Sequence, residues 1–215
     1  MKDYAAGKPW KLDKQQHIMK TAYELFSKNG IIPVTMTDIA EASGVGRVTV
    51  FRYFSTKPEL VIAVSTWKWR EYIEAYQASL PPEQVEALTG AEYLRFYLDS
   101  FLELYRSHPD LLRFNYDFNS FLRYEAGPAE QKQPYLQMVN ALGERFHRLY
   151  ARGMRDGTLR ADISESTMFS ASFHIMLAAA TRYAVGLVVV YEDGCDPQSE
   201  LVLLEELLLS RFTKP

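Results

Sequence analysis

Cysteine is almost missing from this 215-residue chain: Cys195 stands alone, in a stretch that reads as a loop. A single thiol excludes an internal disulfide framework and fits a reducing compartment. Histidine is scarce as well, with four residues, His17, His108, His147 and His174, and no Cys/His zinc spacing. Long apolar runs are lacking. The longest, residues 175–190, is interrupted by Thr181 and Arg182 and falls short of the roughly 20 residues a membrane span needs. No membrane partner is therefore expected. No basic-then-apolar leader opens the sequence, so a cytoplasmic protein is expected. No segment alternates with period two long enough to make a strand; residues 187–191 are β-prone but short and isolated. Repeats and low-complexity tracts are also missing.

The chemistry of catalysis is equally thin. There is no P-loop and no nucleophile elbow. Gly44-Val45-Gly46 begins a dinucleotide fingerprint, but no strand precedes it and no third glycine follows. Glu144-x-x-His147 sets a carboxylate and an imidazole one helical turn apart, half of a di-iron carboxylate signature. That site needs a second copy and two further glutamates, and the sequence holds no second copy. No catalytic residue, cofactor or metal is expected.

What is present is helix. The chain is 47% hydrophobic, enough for one good core or two unequal domains. Its net charge of −3 is unevenly spread. Residues 1–60 carry nine Lys and Arg against six Asp and Glu, while the remainder carries 15 against 21. A basic head on an acidic body suits a nucleic-acid-binding module joined to a regulatory one. The division expected is 1–60, with 1–12 a flexible arm, and 61–215.

The most informative segment is 35–60, TMTDIAEASGVGRVTVFRYFSTKPEL. Thr35 is placed to cap a short helix whose Ile39 and Ala40 face inward. Small residues and Gly44 follow, a glycine where a left-handed turn is needed. Helical spacing resumes at Arg47. Val50 and Phe54 point inward, leaving Arg47, Val48, Thr49 and Arg52 largely outward. This is the pattern of a helix-turn-helix, whose second helix enters the DNA major groove.

The stretch GVGRVTVFRYFSTKPEL resembles the recognition-helix signature of the TetR family of bacterial one-component transcriptional regulators. Its most specific part is Phe51-Arg52-Tyr53-Phe54 followed by Ser55-Thr56-Lys57-Pro58-Glu59-Leu60. Two positions depart from that pattern. Gly46 stands where the family usually carries a capping Ser or Thr, and Phe51 where it usually carries Tyr; each removes a hydroxyl. The major-groove geometry makes Arg47 and Thr49 candidates for base edges and Val48 for a thymine methyl. Thr35, Thr37, Arg52, Tyr53 and Lys57 are candidates for phosphate.

The first helix is expected over 13–29, and a helix from 55 or 56 towards Leu80, closed by Pro81-Pro82. The body reads as helices over 89–107, 109–125, 129–156, 164–191 and 197–212, broken at His108-Pro109, Gly127-Pro128, Gly157 and Gly194. The fold class is all-α with about nine helices. Ten aromatic residues fall between Tyr93 and Tyr124, on nearly every face of two helices, so those helices should be buried or line a cavity. An aromatic cavity suits a small apolar or aromatic effector, with Tyr97, Phe101, Asn115, Phe118, Asn119, His147, His174 and Arg182 as candidate lining. The last two helices read as an interface. Small residues such as Ala179 allow close approach, and the final helix is apolar on more than one side, so a second subunit can cover it. Ala179, Tyr183, Leu187, Leu201, Leu204 and Leu208 are the candidates, and the resemblance implies the same homodimer.

The function expected is a ligand-responsive repressor that binds a near-palindromic double-stranded DNA operator as a homodimer. Two rivals remain: a helical small-molecule-binding protein that does not bind DNA, and a helical metalloenzyme using Glu144 and His147.

Overall fold

Helix boundaries in this protein follow from caps and prolines. The computed structural model describes residues 9–125, 132–188 and 196–214. Residues 1–8 of the expected arm, the Gly127-Pro128 break, and Gly194 and Cys195 lie outside them. Among the described residues there are ten helices: α1 (Pro9–Asn29), α2 (Met36–Ser43), α3 (Arg47–Tyr53), α4 (Lys57–Ala78), α5 (Pro82–Ala87), α6 (Gly90–Ser107), α7 (Pro109–Glu125), α8 (Gln133–Asp156), α9 (Glu165–Ala184) and α10 (Pro197–Phe212). No strand occurs among the described residues; a lone bridge joins Leu159 to Thr213. No described helix is long and apolar enough to cross a membrane.

Thr89 caps α6 in a reciprocal box with Glu92, its hydroxyl accepting from the Glu92 N–H. Ser164 caps α9 and Asp196 caps α10, where Pro197 occupies the first turn. Three boundaries differ from the sequence expectation. Helix α1 opens at Pro9 rather than Asp13, since a proline suits a first turn that has no amide partner to lose. Pro81-Pro82 does end α4, but for the same reason Pro82 also opens the six-residue α5. Helix α9 stops at Ala184 rather than near residue 191, with Gly186 two residues on in the left-handed region.

The chain forms two compact units, and their boundary is not a single cut after residue 60. One unit runs to Trp69 and takes in residues from Asp117 to Leu136; the other comprises Arg70–Tyr116 and Gln137–Pro215. Helices α4 and α7 thus each belong partly to both. In the first unit α2 packs on α1 and α3, around a core that includes Ile18, Phe26, Ile39, Val50, Phe54 and Leu60, all buried. Burying such side chains contributes about 1.5–3 kcal/mol each against an exposed reference, which is what holds a three-helix head together.

In the second unit α6 packs against α9 and α10, and α9 against α10. An aromatic chain runs through it: Tyr97 meets Phe101 at 5.4 Å and Phe146 at 5.3 Å, Phe146 meets Phe169 at 5.3 Å, and Phe169 meets Phe173 at 5.8 Å. These are edge-to-face or tilted pairs, and ring quadrupoles favour the edge-to-face ones. The start of α6 is fastened to the end of α8. The Gly90 N–H donates to Asp156 at 2.7 Å and the Ala91 N–H to the Thr158 hydroxyl at 3.0 Å.

Candidate nucleic-acid interface

The first unit builds its outward face from local rules. Thr35 lies in extended backbone before α2; its hydroxyl accepts from the Asp38 N–H at 3.1 Å, and the Asp38 carboxylate accepts from the Thr35 N–H at 2.7 Å and the Thr35 hydroxyl at 2.8 Å. Those bonds hold the Asp38 carboxyl below its ordinary range. Gly44 ends α2 at φ 65°, a left-handed position that a side chain would strain. The end of α2 is also tied to α1, through His17 Nε2 and the Ser43 carbonyl at 3.0 Å.

Helix α3 begins at Gly46, which provides no side-chain cap; the Thr49 and Val50 N–H groups close onto the Gly46 carbonyl at 2.8 and 3.1 Å. Val50 is fully buried whereas Val48 is 85% exposed. That contrast within three residues orients the helix. Arg47, Val48 and Arg52 face solvent and Thr49 is half-buried beside them. Thr37 is half-buried and Thr35 exposed. The Arg47 guanidinium sits 5.6 Å from the Phe51 ring centre, and that of Arg52 5.5 Å from the Tyr53 ring.

Two of the phosphate candidates are half-buried. Lys57 Nζ donates to the Ile32 carbonyl at 2.8 Å and lies 5.7 Å from the Phe121 ring centre. Desolvation pulls its ammonium below the ordinary lysine range. The Tyr53 hydroxyl is buried with no hydrogen-bond partner among the described residues.

The residues expected to line an effector cavity fall in both units. Tyr97, Phe101 and Asn115 are in the second unit, whereas Phe118 belongs to the first and pairs with Tyr135 at 5.0 Å. Asn119, His147, His174 and Arg182 are exposed. His147 meets Glu165 at 2.9 Å, His174 meets Ser170 at 3.3 Å, and Arg182 donates to the Leu187 carbonyl at 3.0 Å. These side chains spend their polar groups at the surface. A cleft that the sequence did not single out is also present. It measures about 350 Å³ and is lined by Tyr72, Ala75, Tyr76, Ser79, Glu103 and His108. The Tyr72/Tyr76 spacing of one helical turn was the available signal.

The interface candidates also divide. Leu201 is fully buried and Leu208 is 8% exposed, both within their own subunit, because α10 turns them with Glu205, Leu209 and Phe212 into the core. Ala179, Tyr183 and Leu204 are half-buried. The outward apolar residues here are Ile175, Leu187, Leu203 and Leu207, between 42% and 55% exposed.

A capped helix, a glycine turn and a second helix with a polar outward face, followed by an all-α body, define a helix-turn-helix transcriptional regulator. Residues 18–64 match the family described as bacterial regulatory proteins, tetR family. The chain is 46% identical to the putative mycofactocin biosynthesis transcriptional regulator MftR of Mycobacterium tuberculosis over 41 residues, 19% of this chain and 21% of that relative's length. It is 27% identical to the HTH-type transcriptional regulator YfiR of Bacillus subtilis over 148 residues, 67% of each protein. Among solved structures, the transcriptional regulator FadR from Bacillus subtilis in complex with stearoyl-CoA shares the fold, with a TM-score of 0.68 at 18% identity over 91% of this chain and 97% of that one. Residues 18–64 thus carry the DNA-binding domain of the tetR family of bacterial regulatory proteins.

Proposed function

We propose that this protein is a ligand-responsive repressor that binds a near-palindromic operator as a homodimer. The observation that carries the reading is the outward face of α3, where an aliphatic side chain, Val48, stands 85% exposed beside Arg47. A valine left in water contributes little to the fold but suits a thymine methyl, and Arg47 suits the acceptors of guanine. Thr49 completes the base-facing set. Arg52, Thr35 and Thr37 are the phosphate contacts, fixing register without reading sequence.

The dimer forms through α9 and α10, with Ile175, Leu187, Leu203 and Leu207 as its apolar contacts and Ala179, Tyr183 and Leu204 at its margin. The effector is a small apolar or aromatic molecule held by the helical body; the FadR structure in complex with stearoyl-CoA supports a protein of this fold accepting a ligand with a long apolar chain. Helix α4 is the chain's first passage from head to body. An effector that favours one arrangement of the body by about 1–3 kcal/mol lowers operator affinity by the same coupling.

The test is a gel shift with the gene's own upstream region and with a randomised-site selection, repeated across salt concentrations. A specific complex that weakens steeply with salt supports the reading, because each neutralised phosphate releases counterions. Failure to enrich any sequence favours a DNA-silent ligand-binding protein, the reading that the uncapped Gly46 and the hydroxyl-free Phe51 would then explain.

A further inference from the structure

We propose that the cleft between the second half of α4 and the end of α6 binds a small organic cation, an amine or quaternary ammonium group. Tyr72, Ala75, Tyr76 and Ser79 line it from α4, Glu103 and His108 from the end of α6, and its volume of about 350 Å³ suits a compact molecule. All of these residues lie in one unit.

Its aromatic walls are fixed in place. The Tyr72 hydroxyl donates to the Ser100 carbonyl and the Tyr76 hydroxyl to the Phe96 carbonyl at 3.0 Å. The Tyr76 ring also stacks on Phe96 at 4.9 Å, and Tyr72 meets His108 edge-on at 5.2 Å. With both phenol protons committed to α6 backbone, the two tyrosines offer an occupant their rings more than their donors. The electron-rich face of a tyrosine attracts cations.

The charge in the cleft points the same way. Glu103 accepts from the Ser107 hydroxyl at 2.5 Å and has no ion pair among the described residues. Glu205 on α10, by contrast, has Arg95 at 3.3 Å. Burial first, then Glu103 among other groups, raises the Tyr72 and Tyr76 hydroxyls, so the carboxylate field reaches both rings. An anion would meet that field unfavourably. A neutral apolar occupant would desolvate Glu103 with nothing in return. A cation satisfies the carboxylate and the rings together.

This cation site is separate from the apolar effector proposed above, so binding is measured without DNA. Calorimetric titration of the full-length protein uses choline and its uncharged isostere, in which a tert-butyl group replaces the trimethylammonium. The expected result is one choline per chain, bound roughly tenfold or more tighter than the isostere, with Glu103→Gln reducing choline affinity about tenfold and narrowing the preference to what the rings supply. Ala75→Leu, which fills the cleft from an exposed position, is expected to abolish binding while the melting temperature holds. No choline binding, equal binding of the isostere, or binding indifferent to Glu103→Gln and Ala75→Leu would overturn the assignment.

Discussion

The guanidinium of Arg47 lies over the ring of Phe51, 5.6 Å from its centre and one helical turn away on α3. The ring limits the rotamers of an exposed arginine and so lowers the entropy lost when that arginine meets a base. On the proposed reading Phe51 positions Arg47, a task that needs the ring and not a hydroxyl. Arg47→Ala is expected to reduce discrimination at one base pair of each half-site by about 1–3 kcal/mol. Phe51→Leu should reduce it by about 0.5–1 kcal/mol, and Phe51→Tyr should leave it intact. Competition binding against single-base operator variants measures all three. Equal affinity loss across every variant would assign Arg47 to phosphate instead.

Lys57 is engaged by the Ile32 carbonyl and lies beside the Phe121 ring. Lys57→Met should therefore lower stability by about 1–3 kcal/mol, the range for a charged hydrogen bond, while the salt dependence of operator binding stays the same. A thermal melt and a salt titration of the same variant check this. A salt slope reduced by about one would instead make Lys57 a phosphate contact.

Glu205 is buried where α10 packs on α6, and burial, with Asp99 adding repulsion, raises its carboxyl to about 7 against the opposing pull of Arg95 and Arg106. A raised acid binds its proton more tightly folded than unfolded. The stability it contributes is full below the ordinary carboxylate range and lost as pH rises through about 7. Glu205→Gln should flatten that fall, so that the variant gains on the wild type between pH about 5 and 8. Denaturant melts across this window test it; parallel curves for the two proteins would contradict it.

Gly90 and Gly153 let α6 and α8 approach with no room for a methyl group. A Cβ on Gly90 would stand 2.1 Å from the Gly153 Cα, and one on Gly153 would stand 2.2 Å from the Leu159 side chain. Gly90→Ala meets backbone, which cannot swing aside, and should cost about 1–3 kcal/mol. Gly153→Ala meets a side chain that can move, and should cost less. Chemical denaturation ranks the two.

Much of the head was legible in the sequence because its determinants are local. Thr35 with Asp38, the left-handed Gly44 and the Val50/Phe54 spacing each act within a turn or two of chain. Helices α6, α7 and α10 begin where Thr89, Pro109 and Pro197 suggest. What escaped depends on tertiary choice. In α10, leucines at 201, 203, 204, 207, 208 and 209 leave no polar stripe to orient the helix, so only packing against α6 and α9 decides that Leu201 is core and Leu203 surface. Spacing along α6 and α7 does not reveal that α7 is shared between two units. Local spacing turns Lys57 outward, whereas its actual partners, Ile32 and Phe121, lie far away in sequence.

The central claim is that two copies of α3 read one duplex at a fixed separation. A rigid dimer must find its half-sites about one helical turn apart, roughly 35 Å centre to centre. The direct measurement is operator affinity after inserting about five base pairs, half a turn, between the half-sites, which places them on opposite faces of the duplex. The expected result is a fall to the level of a single half-site, with partial recovery when about ten base pairs are inserted. Affinity indifferent to the insertion would contradict the account.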